Sequence, residues 1–174
     1  MKYINLLLLF ATTFTFANNP EPKEIQWISF EKAVKLSELN PKPLIVDIYT
    51  DWCHWCKVMD KKTYTNQEII RYINSNFYAV KFNAEQKAPV TFRGQTFKYV
   101  PNGKRGVHEF AASILQGKLS YPSTVFLNKN KELVQAVPGY LKTPMMEKLI
   151  NFMHQEAYIT KDWPTFEKEF KSKL

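Results

Sequence analysis

Cysteine is scarce in this chain of 174 residues. There are two, Cys53 and Cys56, and no third to which either could be stapled. A disulfide framework of the kind that holds small secreted domains together is thereby excluded. Histidine is also scarce. His54, His108 and His154 lie far apart in the sequence, whereas a structural zinc site needs four ligands, commonly from two spaced pairs. Five glycines and ten prolines are too few for a flexible or collagen-like chain, and no repeat or low-complexity run is present. No catalytic carboxylate pair, glycine-rich phosphate loop or serine triad can be picked out. Acidic residues are outnumbered, 16 Asp+Glu against 24 Lys+Arg, for a formal charge of +8. The basic residues are spread along the chain in runs of no more than two. That pattern reads as a solvated basic surface with no nucleic-acid partner.

What is present is apolar and aromatic. Apolar residues make up 45% of the chain, with thirteen Phe, nine Tyr and four Trp. This is enough for the core of one domain of ordinary size. Stability then needs no cross-link, and the two cysteines are free for chemistry. At the N-terminus, Lys2 is followed by an apolar stretch, Ile4 to Phe16, interrupted by Asn5 and three threonines, and then by Thr15-Phe16-Ala17. A positive start, a short apolar middle and a small-residue exit predict a signal peptide over 1–17, cleaved before Asn18. The stretch falls short of the ~20 residues of a bilayer span, and an uncleaved membrane anchor is the alternative. The chain is therefore expected to be exported, to the periplasm or beyond, with 18–24 as a linker.

Periodicity predicts an α/β order. Ile25 to Leu39 reads as a helix with Ser29 at its N-cap and Ile28, Val34, Leu36 and Leu39 on its apolar side. The continuous run Leu44 to Tyr49 reads as a strand buried on both faces. Thr50 and Asp51 offer capping oxygens for a helix that starts near Cys53 and runs through Met59. Further elements are a helix at Gln67 to Ile73 and a strand at Phe77 to Phe82. A hairpin around Arg93-Gly94, within Pro89 to Val100, is followed by a helix over Val107 to Leu115. Strands follow at Ser123 to Leu127 and Glu132 to Val137. The last core helix opens at Thr143-Pro144 and buries Met145, Met146, Leu149, Ile150 and Met153. A short C-terminal helix from Trp163 carries Phe166 and Phe170. The result is a mixed central sheet with helices on both faces.

Cys53-His54-Trp55-Cys56 can close as a small disulfide ring or open as a dithiol, and so can carry two electrons; a structural disulfide or half of a zinc site is the alternative reading of the same pair. Cys53 sits where a buried strand gives way to a helix. First-turn amides and the helix dipole favour an anion there by as much as about 2 kcal/mol. That is enough to bring a thiol pKa from about 8.5 down to about 7. Cys53 is the expected nucleophile, and Cys56, one turn further on, the resolving thiol. His54 either stabilises the Cys53 thiolate or points to solvent. Trp55 either shields the sulfurs and contacts a client, or packs structurally. Asp47 is a carboxylate in the middle of an apolar strand, which is costly and raises its pKa. It is either the proton acceptor for Cys56 or a hydrogen-bonded structural residue, with Lys57 as a possible counter-charge or a solvated lysine. Tyr121-Pro122 opens a strand and would turn backbone toward a client if its peptide bond were cis.

Together these segments resemble the thioredoxin superfamily. Val46 to Lys57 is similar to its buried-Asp strand leading into Trp-Cys-x-x-Cys-Lys, Tyr121 to Leu127 to its cis-proline strand, and Pro138-Gly139-Tyr140 to the glycine that ends its last strand. The likeness covers 25–155, with an insertion over 84–106 and a C-terminal helical extension over 156–174. It implies the thioredoxin fold, a redox-active Cys53/Cys56 disulfide, proton transfer assisted by Asp47, a cis Pro122, and client contacts from Trp52, His54, Trp55, Tyr121 and Pro122. The His-Trp dipeptide departs from the Gly-Pro of cytoplasmic thioredoxin and is similar to that of secreted bacterial thioredoxin-like proteins. The activity implied is thiol–disulfide exchange, in the reducing direction; no cofactor is expected, and the chain is expected to be a monomer. Its expected partners are client proteins with disulfides or thiols and a membrane or periplasmic thiol electron donor. A copper- or zinc-binding module, held by Cys53, Cys56 and His54, is the alternative.

Overall fold

The computed structural model describes residues 21–174; the expected signal peptide and its cleavage point lie outside them. In chain order the elements are β1 (Trp27–Ile28), α1 (Phe30–Leu39), β2 (Leu44–Tyr49), α2 (His54–Lys62), α3 (Gln67–Asn76) and β3 (Tyr78–Asn83). Two hairpins follow, β4 (Val90–Phe92) with β5 (Gln95–Phe97) and β6 (Tyr99–Asn102) with β7 (Arg105–His108), leading to α4 (Glu109–Ile114). The chain closes with β8 (Ser123–Leu127), β9 (Leu133–Pro138), α5 (Thr143–His154), a 3-10 turn at Ala157–Ile159 and α6 (Trp163–Glu169). The central sheet runs β1-β3-β2-β8-β9. Strand β3 is parallel to β1 and β2, and β8 is antiparallel to β2 and β9.

The pattern of β2 explains its central place. Alternate residues of a strand face opposite sides, and both sides of this one are covered. Leu44, Val46 and Ile48 meet Phe30 and Ala33 of α1, Phe110 of α4, and Val90 and Phe97 of the first hairpin. Ile45 meets Ile69 and Ile73 of α3 and Met146 and Ile150 of α5. The same alternation puts Asp47 on the Ile45 face, the one polar residue of the strand. The α6 residue Phe166 packs on that layer, 4.9 Å from Phe152 between ring centroids. The chain end docks nearby, with Ser172 Oγ and Lys173 N both donating to the buried Glu147 carboxylate at 2.6 Å.

Several sequence expectations are corrected. The first helix starts at Phe30, where the expected N-cap Ser29 sets it, with Ser29 Oγ accepting from Lys32 N; residues 25–28 of the stretch read with it lie before the helix. Trp27–Ile28 instead adds an edge strand to β3. Once the helix starts there, its 3.6-residue period points Phe30, Ala33 and Ser37 inward and leaves Leu39 78% exposed. Val107 and His108 belong to β7, because the insertion holds a second hairpin that pairs Tyr99 with His108. Met145 is 37% exposed, while Met146, Leu149, Ile150 and Met153 are buried as expected. The first hairpin turns where expected. Arg93 (φ 51°) and Gly94 (φ 77°) are both left-handed, the geometry of a two-residue turn that follows strand twist.

Candidate active site

Four segments distant in sequence meet at the carboxyl end of β2. The β2–β8 register pairs Ile48 with Ser123, which brings Pro122 to the exit of β2. The β8–β9 register pairs Ser123 with Pro138. Gly139 follows, with φ 92° and its N–H donating to Pro122 O at 2.7 Å. Ala84, just past β3, donates to Tyr49 O and accepts from His108 N, tying the end of the second hairpin to the same corner. The Tyr121–Pro122 peptide bond is cis.

Cys53 and Cys56 form a disulfide with an S–S distance of 2.09 Å. Cys53 is the N-cap of α2, and its Sγ accepts the Cys56 N–H at 3.0 Å. The expected capping by Thr50 and Asp51 is therefore corrected. Thr50 contributes its carbonyl to the Cys53 N–H, and Asp51 Oδ1 accepts from Asn83 Nδ2. A sulfur in the N-cap position faces amides without intrahelical partners and the positive end of the helix dipole, a setting that favours thiolate. Exposure does not distinguish the two sulfurs, since the cysteines are 4% and 3% exposed. What distinguishes them is that the Sγ of Cys53 caps the helix while Cys56 lies inside it.

Asp47 is buried on the α2 side of the sheet, level in register with Lys81 of β3 and Thr124 of β8. Burial pushes its carboxyl up to a pKa of about 7, against the pull of Lys81, whose Nζ lies 3.7 Å from Oδ2. The counter-charge is thus Lys81, and the suggested pairing with Lys57 is corrected, since Lys57 is exposed on α2. Lys81 also bonds Asp60. Its ammonium sits over the rings of Trp27, Tyr49 and Tyr64, 5.4 to 5.9 Å from their centroids. Burial, and then the charge of Asp47, hold the Tyr64 phenol well above its usual pKa. Asp47 Oδ1, Thr50 Oγ1, Tyr64 Oη and Thr124 Oγ1 are buried without a hydrogen-bond partner among the described residues. The Tyr64 hydroxyl nonetheless lies close enough to the Asp47 carboxyl and to Thr124 to interact with both, so this small polar group is suited to hold the Asp47 proton.

Aromatic side chains flank the disulfide. Trp55, 56% exposed, stacks on Tyr140 at 5.8 Å and 17°. With Tyr121, Pro122 and Gly139 it lines an open depression at the surface. Trp52 is held by three neighbours. Its indole N–H donates to Glu85 Oε1 at 3.1 Å, Tyr121 meets it edge-on, and the Arg105 guanidinium lies 4.4 Å from its ring centroid. His54 is exposed and lies edge-on to Trp55, with no hydrogen bond to either sulfur among the described residues. Among the described residues no group of three or more His, Cys, Asp and Glu could hold a metal ion.

The structure therefore brings together Asp47, Trp52, Cys53, Trp55, Cys56, Tyr121 and Pro122, with His54 on the rim. Reading the sequence alone missed Lys81, Asp60, Tyr64 and Arg105. A signal existed for Lys81, a cation interrupting the apolar alternation Tyr78-Ala79-Val80-Lys81-Phe82. None existed for Arg105, whose place depends on how the second hairpin folds back.

Residues 9–173 match the family model described as "Thioredox_DsbH: Protein of unknown function, DUF255". Among curated proteins, the chain is similar to the uncharacterized protein B0495.5 of Caenorhabditis elegans, 31% identical over 91 residues, which cover 52% of this chain and 12% of that one. It is also similar to the thiol:disulfide interchange protein DsbD of Yersinia enterocolitica, 27% identical over 67 residues, which cover 34% of this chain and 12% of that one. The matched part is thus a small fraction of the length of these relatives. Among solved structures, one titled "DsbH Oxidoreductase" aligns with a TM-score of 0.50 at 16% identity, covering 75% of this chain and 83% of that one. A thioredoxin-fold protein from Helicobacter pylori aligns with a TM-score of 0.57 at 20% identity, covering 75% and 80%. At these identities the structural likeness is one of fold, and the fold is that of thioredoxin.

Proposed function

The chain belongs to the Thioredox_DsbH (DUF255) family of thioredoxin-fold proteins, and from that premise we propose that it is an exported thiol–disulfide oxidoreductase that reduces client proteins through Cys53 and Cys56. The observation that carries the reading is the Cys53–Cys56 disulfide at the N-cap of α2, one strand-end away from a buried carboxyl whose pKa is raised to about 7.

In the reduced protein, the Cys53 thiolate attacks one sulfur of a client disulfide and the other client sulfur leaves as thiolate. The mixed disulfide is then attacked by Cys56 at Cys53 Sγ, which frees the second client thiolate and closes the Cys53–Cys56 bond. Two electrons pass from the dithiol to the client, and a thiol donor returns them by the same steps in reverse. Cys56 must lose its proton to attack. Asp47, ionised above pH about 7, is the group suited to accept it. The open depression beside Pro122, with Trp55 and Tyr140 on its wall, is suited to an extended client segment. The apolar stretch after Lys2 supports export, and the resemblance to the thioredoxin superfamily, which includes secreted reductases, favours the reducing direction.

Insulin reduction by the pre-reduced protein tests this reading. The wild type is expected to turn insulin over and Cys53→Ser to lose all exchange. A Cys53→Ser protein with full activity would contradict it. The potential against a glutathione buffer fixes the direction, since 30 mV corresponds to about 1.4 kcal/mol for a two-electron couple.

A further inference from the structure

We infer that the second hairpin is a client-selecting arm, and that Lys104 and Arg105 at its tip bind acidic residues flanking the client's cysteine. The inference rests on the oxidoreductase reading and names the client chemistry of that same site.

The hairpin is a built feature. Its turn is the two residues Gly103-Lys104, between Asn102 and Arg105, which pair with each other. Behind the turn, the Tyr99 ring crosses Gly106 so closely that a Cβ there would collide with the ring and with the Val100 carbonyl. Lys87 closes the stack, its ammonium 2.9 Å from the Tyr99 ring centroid. At the base, His108 N donates to Ala84 O at 2.7 Å and Lys98 N donates to Glu109 Oε2 at 2.7 Å. The tip is thereby carried against the residue that precedes Cys53, with Arg105 lying over Trp52. A guanidinium stacked by its face on an aromatic ring keeps its N–H edge free for a carboxylate.

The charges around the tip are unbalanced. Residues 84–108 hold five cations, Lys87, Arg93, Lys98, Lys104 and Arg105, against one carboxylate, Glu85. None of the five is in a salt bridge among the described residues. Arg93 is directed elsewhere, donating to Asn130 O. Three carboxylates lie on the rim, Glu85, Asp51 and Glu109, each accepting one hydrogen bond from a neutral N–H, of the Trp52 indole, the Asn83 amide and the Lys98 backbone respectively, and each keeping its charge. With them counted the balance is still five cations to three carboxylates. An extended client segment seated in the Trp55–Tyr140 depression and crossing the disulfide would meet Lys104 and Arg105 next. Charge complementarity then favours aspartate or glutamate beside the client cysteine.

The test uses two peptides identical except for acidic or lysine residues flanking a central position. Peptides with serine there are titrated against the oxidised protein by fluorescence anisotropy. Peptides with cysteine there, as disulfides, are offered to the reduced protein. The acidic peptide is expected to bind roughly tenfold tighter than the basic one. The ratio should collapse between about 0.01 M and about 1 M salt, as the screening length falls from about 30 Å to about 3 Å. K104E/R105E should invert the ratio, and the milder R105Q should reduce it. Equal binding of both peptides by the wild type, or a ratio unmoved in both variants, would overturn the inference. Failure of the reduced wild type to turn over hydroxyethyl disulfide, a small neutral substrate, would instead count against the oxidoreductase reading. The anisotropy result judges the arm in either case.

Discussion

Burial takes the Asp47 carboxyl to a pKa of about 7 even with Lys81 beside it, and this one side chain makes stability depend on pH. The unfolded chain gives up the proton near pH 3.9, whereas the folded chain holds it to about 7. Below the lower value both states are protonated and the group costs nothing. As pH rises through the window from about 4 to about 7 the folded state loses stability relative to the unfolded one, and above about 7 the loss is complete. At about 1.36 kcal/mol per pKa unit the ceiling is on the order of 4 kcal/mol. Asp47→Asn removes the charge at some cost in hydrogen bonding around Lys81. It is expected to be about 1–3 kcal/mol more stable than wild type at pH 8 and to lose most of that advantage at pH 4. Urea unfolding at both pH values measures this; an advantage of the same size at both would contradict the account. In exchange kinetics the wild type is expected to release product faster as pH passes about 7, where Asp47 ionises, and the same variant to lose that rise.

At the scale of elements, α4 decides whether the insertion is attached to the sheet. Phe110 is fully buried, with ring centroids 4.3 Å from Phe30, 5.1 Å from Phe82 and 5.6 Å from Phe97. It therefore joins α1, β3 and the first hairpin. Phe110→Ala is expected to cost about 3–5 kcal/mol, measured by urea unfolding, and to loosen 84–108 toward limited proteolysis; a loss below about 1 kcal/mol would mean that the insertion is held elsewhere. The same elements show how far the sequence could be read. The run Leu44 to Tyr49 could be identified as a strand because both its faces are apolar, and Asp47 stood out because it interrupts that run. The Arg93-Gly94 turn could be identified because glycine suits a left-handed φ. The second hairpin could not, because Val107 and His108 lead straight into the helical residues of α4 and their strand pairing depends on Tyr99. Lys81, Asp60 and Tyr64 were hidden for a related reason. Parallel pairing of β2 with β3 and the return of α2 over the sheet set them around Asp47 from positions 13 to 34 residues away.

At the scale of the whole molecule, two apolar layers on one mixed sheet leave the carboxyl end of β2 as the place where a helix start, a strand start, a glycine turn and a hairpin arm converge. Such crevices at strand ends are where open α/β sheets place their chemistry. The C-terminal residues Ser172 and Lys173 close onto Glu147 of α5, supporting the layer under Asp47. The central claim is that this architecture makes Cys53, whose sulfur caps α2, an acidic attacking thiol, while Cys56, inside the helix, keeps its proton at the same pH. The most direct measurement is the pH dependence of iodoacetamide alkylation of the fully reduced protein, with each cysteine followed by mass spectrometry. The account predicts that Cys53 is alkylated first, with a midpoint near or below pH 7, well under the ordinary thiol value of about 8.5, while Cys56 stays unmodified over that range. Midpoints at or above about 8.5 for both cysteines, or faster alkylation of Cys56, would contradict it.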